Sequence, residues 1–220
     1  MNEHAGPSAS SSDPWGFSQR RLYLCTPDRP DLEDFVAAVI DGGVDVIQLR
    51  DKHLDARPLL VRAQTVARRC QAAGVPFILN DRPDLALEVE ADGVHVGQDD
   101  APVGLCRRLL GADAIIGLST HHPAELREAI AQPVTYLSAG PVEATPTKPG
   151  RPGTGLDYLR EAVTTAPVPV FVTGGVRPET VPSLVEAGAR HFVVVRALTE
   201  AADPYRAASA LRRAIDAELA

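Results

Sequence analysis

From Arg21 onward the chain alternates, eight times over, a short run rich in Val, Ile and Leu with a longer stretch whose apolar residues recur at helical spacing. Such alternation dictates parallel strands, because each strand can return to the same orientation only through a crossover, and a helix is the compact crossover. The strand-like runs are 22–26, 44–50, 76–80, 93–96, 114–118, 134–139, 169–173 and 191–195. Helices are expected at 32–40, 59–70, 83–89, 102–110, 123–130, 156–164, 178–187 and 204–218. In the first, Leu32, Phe35, Val36, Val39 and Ile40 fall on one face; in the second, Leu59, Leu60, Ala63, Val66, Ala67 and Cys70 do. Several helices carry Pro in or beside the first turn, where its missing N–H costs nothing. Eight strand-helix pairs within 220 residues predict an α/β protein, a single (β/α)8 TIM barrel, with a doubly wound open sheet as the alternative. In a barrel, chemistry belongs at the C-terminal ends of the strands.

Residues 1–20, rich in Ser, Gly and Pro and without apolar periodicity, read as a flexible N-terminal tail, leaving 21–220 as the catalytic barrel. The tail lacks the basic start and apolar stretch of a secretory signal. No apolar run approaches the roughly 20 residues of a membrane span. The formal charge of -7 disfavours nucleic acid and anionic membranes, so an anionic ligand must be met by a local cluster of cations. Cys25, Cys70 and Cys106 are odd in number and form no C-x-x-C pattern, which suggests neither disulfides nor zinc and fits a reduced cytoplasm.

Polar residues gather where the strands end. Period-two alternation in the second strand sends Gln48, Arg50 and Lys52 to one face, either as a clamp for a polyanion or as rim ion pairs with Asp51 or Asp55. Asn80 and Asp81 close the third strand, and Gly97, Gln98, Asp99 and Asp100 follow the fourth. Asp81 and Asp100 suit Mg²⁺, which takes one or two carboxylates together with water and phosphate oxygens; taken alone, though, Asp just before a Pro-led helix is a common start signal and each reads first as a helix cap. Asp92 and Asp99 are weaker candidates. His121 and His122, after the fifth strand, suit proton transfer or an exposed loop. The loop from Pro141 to Gly155, with Thr145, Thr147, Lys148 and Arg151, reads as a binding loop or as a surface linker. Gly174 and Gly175, after the seventh strand, permit the close backbone approach that a phosphate needs. At the end of the eighth strand, Val195 and Arg196 border the same region; Arg196 either joins that anion site or pairs with Glu200.

Taken together, Gln48-Leu49-Arg50-Asp51-Lys52, Asn80-Asp81, the run from Gly93 to Asp100, Gly117-Leu118-Ser119, Gly140-Pro141 with Thr145-Pro146-Thr147-Lys148, and Gly174-Gly175-Val176 resemble the thiamine-phosphate synthase family over nearly all of residues 21–210. The resemblance implies a transferase that joins hydroxymethylpyrimidine diphosphate to thiazole phosphate and releases pyrophosphate. It further implies that Gln48, Arg50, Lys52, Asn80, Thr145, Thr147 and Lys148 surround the two substrates, that Asp81 and Asp100 hold Mg²⁺, that Ser119 contacts the pyrimidine or pyrophosphate region, and that Gly175 contacts the thiazole phosphate. Arg50, Lys52, Lys148 and Ser119 would be the catalytic groups. Two departures fall at the thiazole end: Glu143-Ala144 where the family often has an aromatic residue and Pro, and Arg196 where it often has Ser. The partners implied are small molecules, and a homo-oligomer is left open. Two rivals share the pocket, a thiazole tautomerase of the same fold and a non-catalytic thiamine-phosphate sensor. Neither needs two carboxylates and a Lys-bearing loop aimed at a leaving pyrophosphate.

Overall fold

In the computed structural model, which describes residues 13, 15–145 and 152–220, the chain closes into an eight-stranded parallel barrel with strand order following the sequence. The strands are β1 (Leu22–Thr26), β2 (Val46–Leu49), β3 (Phe77–Asn80), β4 (Gly93–Val96), β5 (Ile115–Thr120), β6 (Tyr136–Ala139), β7 (Val170–Val172) and β8 (His191–Val194). Closure comes from β1 lying parallel to β8, with Leu22 opposite Phe192 and Leu24 opposite Val194. The open-sheet alternative is thereby excluded.

The helices are α1 (Leu32–Asp41), α2 (Ala56–Ala73), α3 (Pro83–Glu88), α4 (Val103–Leu110), α5 (Pro123–Ala129), α6 (Gly155–Thr165), α7 (Val181–Glu186), α8 (Arg196–Thr199) and α9 (Pro204–Leu219). The buried stripe of α2 is Leu59, Ala63, Val66 and Cys70, at the helical spacing expected, and Gly74 ends the helix in the left-handed region with its N–H on the carbonyls of Cys70 and Gln71. One boundary shift has a visible local cause, and one element is new. The seventh helix starts at Val181 rather than near Pro178, because Thr180 ties the preceding turn back through its hydroxyl to the Gly175 carbonyl at 2.6 Å. The short α8 is an additional turn of helix directly after β8.

Two apolar cores result from strands buried on both faces. The larger lies between sheet and helices and takes Leu24, Ile47, Leu49 and their counterparts on the other strands. The smaller fills the lower barrel interior with Tyr23, Val46, Ile78, Ile115, Tyr136 and Phe171, closed from below by Phe17. Phe17 is 1% exposed and its ring stacks on Tyr136 at 5.1 Å, so packed structure begins ahead of Arg21; residues 1–12 and 14, most of the expected tail, lie outside the described residues. Gly117 shows why the interior takes this composition. A Cβ there would run into the Tyr136 ring and lie 2.5 Å from His95 Nδ1, so a glycine on β5 is what admits two large rings from its neighbours. Among the described residues no helix is long and apolar enough to cross a membrane.

Candidate active site

The C-terminal mouth holds a cavity of about 610 Å³, lined from the strand ends and the loops after them. Period two along each strand decides what enters it. In β2, Ile47 and Leu49 face the helices while Gln48, Arg50 and Lys52 reach the cavity. Ser119 enters from β5 and Asn80 from β3. The rim pairing considered for Arg50 and Lys52 is not what Asp51 does: its carboxylate accepts from the backbone N–H groups of His53, Leu54 and Asp28 and shapes the loop after β2.

The two carboxylates behave as a pair. Lys52 Nζ sits 2.8 Å from Asp81 Oδ2. The Asp81 and Asp100 carboxylates lie close enough beside Lys52 that each shifts the ionisation of the other. Burial, reinforced by the Asp100 carboxylate, pushes Asp81 up in spite of Lys52. Burial penalises Asp100 too, but its bonds to Asp81 and to the Gly97 N–H, with Lys52 nearby, hold it low. Asp81 takes a left-handed backbone, φ 61°, at the turn out of β3. Asp100 folds back so that its Oδ2 accepts from Gly97 N at 2.8 Å; a Cβ on Gly97 would stand 2.9 Å from that oxygen. Neither side chain caps a helix: the N-cap residues of α3 and α4 are Arg82 and Pro102, neither with a side-chain cap bond. The capping alternative therefore fails for both. Two carboxylates whose charges oppose each other mark a place where a divalent cation can sit, and the donor set suits Mg²⁺. Among the described residues no group of three or more His, Cys, Asp or Glu is arranged for a metal, so these two carboxylates would need substrate and water oxygens to complete a shell.

At the opposite side, Gly174 and Gly175 both have positive φ, 87° and 79°, in the loop after β7. Val142 N–H donates to the Thr173 carbonyl at 2.8 Å and Thr154 N–H to the Pro141 carbonyl at 2.7 Å, which ties the base of the loop after β6 to this turn. Thr145 lines the cavity, whereas Thr147 and Lys148 lie outside the described residues. Val195 and Arg196 line it as well; Arg196 is exposed at the start of α8, and no ion pair joins it to Glu200. Asp99 is exposed at the rim, and Asp92 is structural, accepting from Phe77 N at 2.8 Å. His122 caps α5 and His121 pairs with Glu125 at 2.8 Å.

Five residues, in two clusters, were not legible as site residues. The buried Tyr23, Tyr136 and His95 form the cavity floor and bond to Gln48 and Ser119 in the cavity wall. Glu143 and Arg177, 34 residues apart, form a two-pronged ion pair at 2.8 and 3.3 Å over the Gly174-Gly175 turn. For the rings, the available signal was their strand parity, which matches that of Cys25, Gln48, Ser119 and Ser138.

The comparisons with known proteins agree with this fold. The family described as thiamine monophosphate synthase matches residues 22–198. A thiamine-phosphate synthase of Thermobifida fusca is 47% identical over 206 residues, 91% of this chain and 94% of the relative. One from Acidothermus cellulolyticus is 45% identical over 194 residues, 86% of this chain and 92% of the relative. A Synechocystis thiamine-phosphate synthase is 44% identical over 88% of this chain, which spans only 56% of that relative's length. Among solved structures, a thiamine phosphate pyrophosphorylase from Pyrococcus furiosus superposes with a TM-score of 0.82 at 30% identity, covering 91% of this chain and 97% of its own.

Proposed function

The chain belongs to the thiamine monophosphate synthase family, and on that premise we propose how its barrel mouth carries out the transferase reaction of thiamine biosynthesis, joining a hydroxymethylpyrimidine diphosphate to a thiazole phosphate. The observation that carries this reading is the pairing of two different anion-binding ends in one cavity: the Asp81, Asp100 and Lys52 cluster on one side and the Gly174-Gly175 turn on the other.

The bond that breaks joins the pyrimidine methylene carbon to the diphosphate oxygen. Its electron pair leaves with pyrophosphate, and positive charge develops on a carbon attached to the electron-rich aminopyrimidine. Arg50 and Lys52 reach the cavity from the end of β2 to meet the leaving oxygens, and Lys148 is assigned the same task. Asp81 and Asp100 would hold Mg²⁺, which neutralises diphosphate charge when bound. Gln48, Asn80 and Ser119 orient the pyrimidine. The thiazole phosphate is assigned to Gly175, with Thr145, Thr147, Val195 and Arg196 around it. The new bond forms from the thiazole nitrogen lone pair to the methylene carbon, so no proton has to be removed before attack. The site accordingly needs no strong general base.

Incubating the protein with both substrates, with and without Mg²⁺, and measuring thiamine phosphate together with pyrophosphate tests the reading. Equimolar, Mg²⁺-dependent formation of both products is expected. Thiazole isomerisation without pyrophosphate would identify a tautomerase, and tight thiamine-phosphate binding without turnover would identify a sensor.

A further inference from the structure

The cavity floor is a single file of hydrogen bonds running across the barrel. Gln48 Oε1 accepts from Cys25 Sγ at 3.2 Å, while its Nε2 donates to the Tyr23 hydroxyl at 2.6 Å. The Tyr23 and Tyr136 hydroxyls are 2.8 Å apart, and the Tyr136 hydroxyl is 2.9 Å from His95 Nδ1. His95 Nε2 in turn lies 2.9 Å from Ser119 Oγ, which is 3.3 Å from Ser138 Oγ. Every member is buried, none more than 8% exposed, so bulk water does not supply alternative partners for the phenols.

Hydrogen counting gives this file a direction. Each phenol has one hydrogen to donate. The Gln48 amide donates into the Tyr23 oxygen, so the Tyr23 hydrogen is left for Tyr136, whose own hydrogen must go on to His95 Nδ1. The opposite direction, with Nδ1–H donating to Tyr136 and Tyr136 to Tyr23, would bring two donated hydrogens to the Tyr23 oxygen and leave its own with no acceptor. Which imidazole nitrogen carries the hydrogen is set by the bond the other one makes. We infer that Gln48, through Tyr23 and Tyr136, locks His95 in the tautomer that bears its hydrogen on Nε2, and that Ser119 therefore receives a hydrogen bond from below and directs its own hydrogen away from His95.

Tyr23, Tyr136 and His95 are on this argument positioning residues for Ser119, and Gln48 has a second task beyond orienting substrate. The direction of the file rests on the geometry alone. Its consequence for turnover rests on the transferase reading above, since that reading puts substrate against Ser119. Successive bonds in one direction also polarise one another, which makes the Ser119 hydroxyl a better donor than an isolated serine.

The test is the tautomer itself. Long-range proton-nitrogen correlation spectra of uniformly ¹⁵N-labelled protein, with His95 assigned by its loss in the His95→Gln variant, should show a protonated Nε2 and an acceptor-type Nδ1. Tyr136→Phe removes the donor to Nδ1 and should give a mixture of tautomers, with kcat falling about tenfold and the KM for thiazole phosphate unchanged. Gln48→Glu, nearly isosteric but able to accept at both oxygens, should reverse the file and move the hydrogen to Nδ1. A wild-type His95 protonated on Nδ1, or a tautomer unmoved in both variants, overturns the inference. Because the spectra need no substrate, absence of synthase activity would count against the functional reading without touching the tautomer result. An active enzyme with the opposite tautomer would overturn the direction alone.

Discussion

Glu143 stands over the turn assigned to the thiazole phosphate. A Cβ built on Gly175 would lie 2.6 Å from Glu143 Oε2, so a phosphate on that turn would have this carboxylate as its neighbour. The same carboxylate occupies Arg177, which also donates to the Gly175 carbonyl at 2.9 Å. In the free enzyme the pair is half-exposed, 45% for Arg177 and 49% for Glu143, so it contributes under about 1 kcal/mol to stability. Toward the substrate its effect is larger. A carboxylate about 6 Å from a phosphate dianion repels it by roughly 1.4 kcal/mol even at the dielectric constant of water. Glu143→Gln removes that charge and loosens Arg177, so the KM for thiazole phosphate should fall about tenfold at low ionic strength, since 1.4 kcal/mol is a factor of ten. kcat and the KM for the pyrimidine diphosphate should stay where they are, and the gain should shrink with added salt. Arg177→Ala should move the same KM upward. The assay is steady-state pyrophosphate release with each substrate varied in turn, and thermal melting controls for folding. An unchanged thiazole KM in Glu143→Gln, or equal shifts for both substrates, refutes the placement of phosphate beside this pair.

Asp81→Asn and Asp100→Asn should each abolish most Mg²⁺-dependent turnover with little change in melting temperature, because neither side chain caps a helix; near-normal turnover in both would rule out the metal assignment. Gly117→Ala forces a methyl group into Tyr136 and toward His95, an overpacking that costs about 1–3 kcal/mol and should lower the melting temperature by roughly 2–10 °C; an unchanged melt would mean that the floor relaxes freely. Arg196→Ala should weaken thiazole phosphate binding more than pyrimidine diphosphate binding, measured by competition; small equal changes would leave Arg196 as a surface residue. Burial lowers the folded-state pKa of His191, with its ring on the Arg20 carbonyl, so the unfolded chain takes up a proton that the folded chain refuses. Stability should therefore decline as pH falls through about 6.5, the unfolded value, and urea unfolding at pH 7 and pH 5 should show a smaller decline in His191→Gln.

What could be seen in the sequence and what could not divide along one physical line. Alternating β and helical periods encode the barrel because every strand must be covered outside by its own helix; β1 and β4 have the expected bounds, and the other strands overlap their expected runs. Boundaries slipped where a side chain, rather than periodicity, decided them, as Thr180 does before α7. The strand-end residues Gln48, Arg50, Lys52, Asn80, Asp81, Asp100 and Ser119 could be picked out because polar groups recur at the ends of successive strands; ion pairing and helix capping offered local reasons for several of them, and closure of the barrel brings all seven to one cavity. Tyr23 and Tyr136 were not, because an aromatic residue in a strand is ordinary β-former chemistry whichever way it points, and parallel strands are buried on both faces. Their meaning appears only when eight strands are brought into register, with Cys25 beside Gln48, Asn80 beside His95, and Ser119 beside Ser138. Gly117 makes the same point: on its own it reads as a weak spot in β5, yet Tyr136 and His95 fill the space that its missing side chain leaves. Glu143 and Arg177 are the limiting case, two charges of no evident pattern that become one feature once the loops after β6 and β7 meet. In a barrel the periodicity of one strand selects the face, and only closure selects the partner.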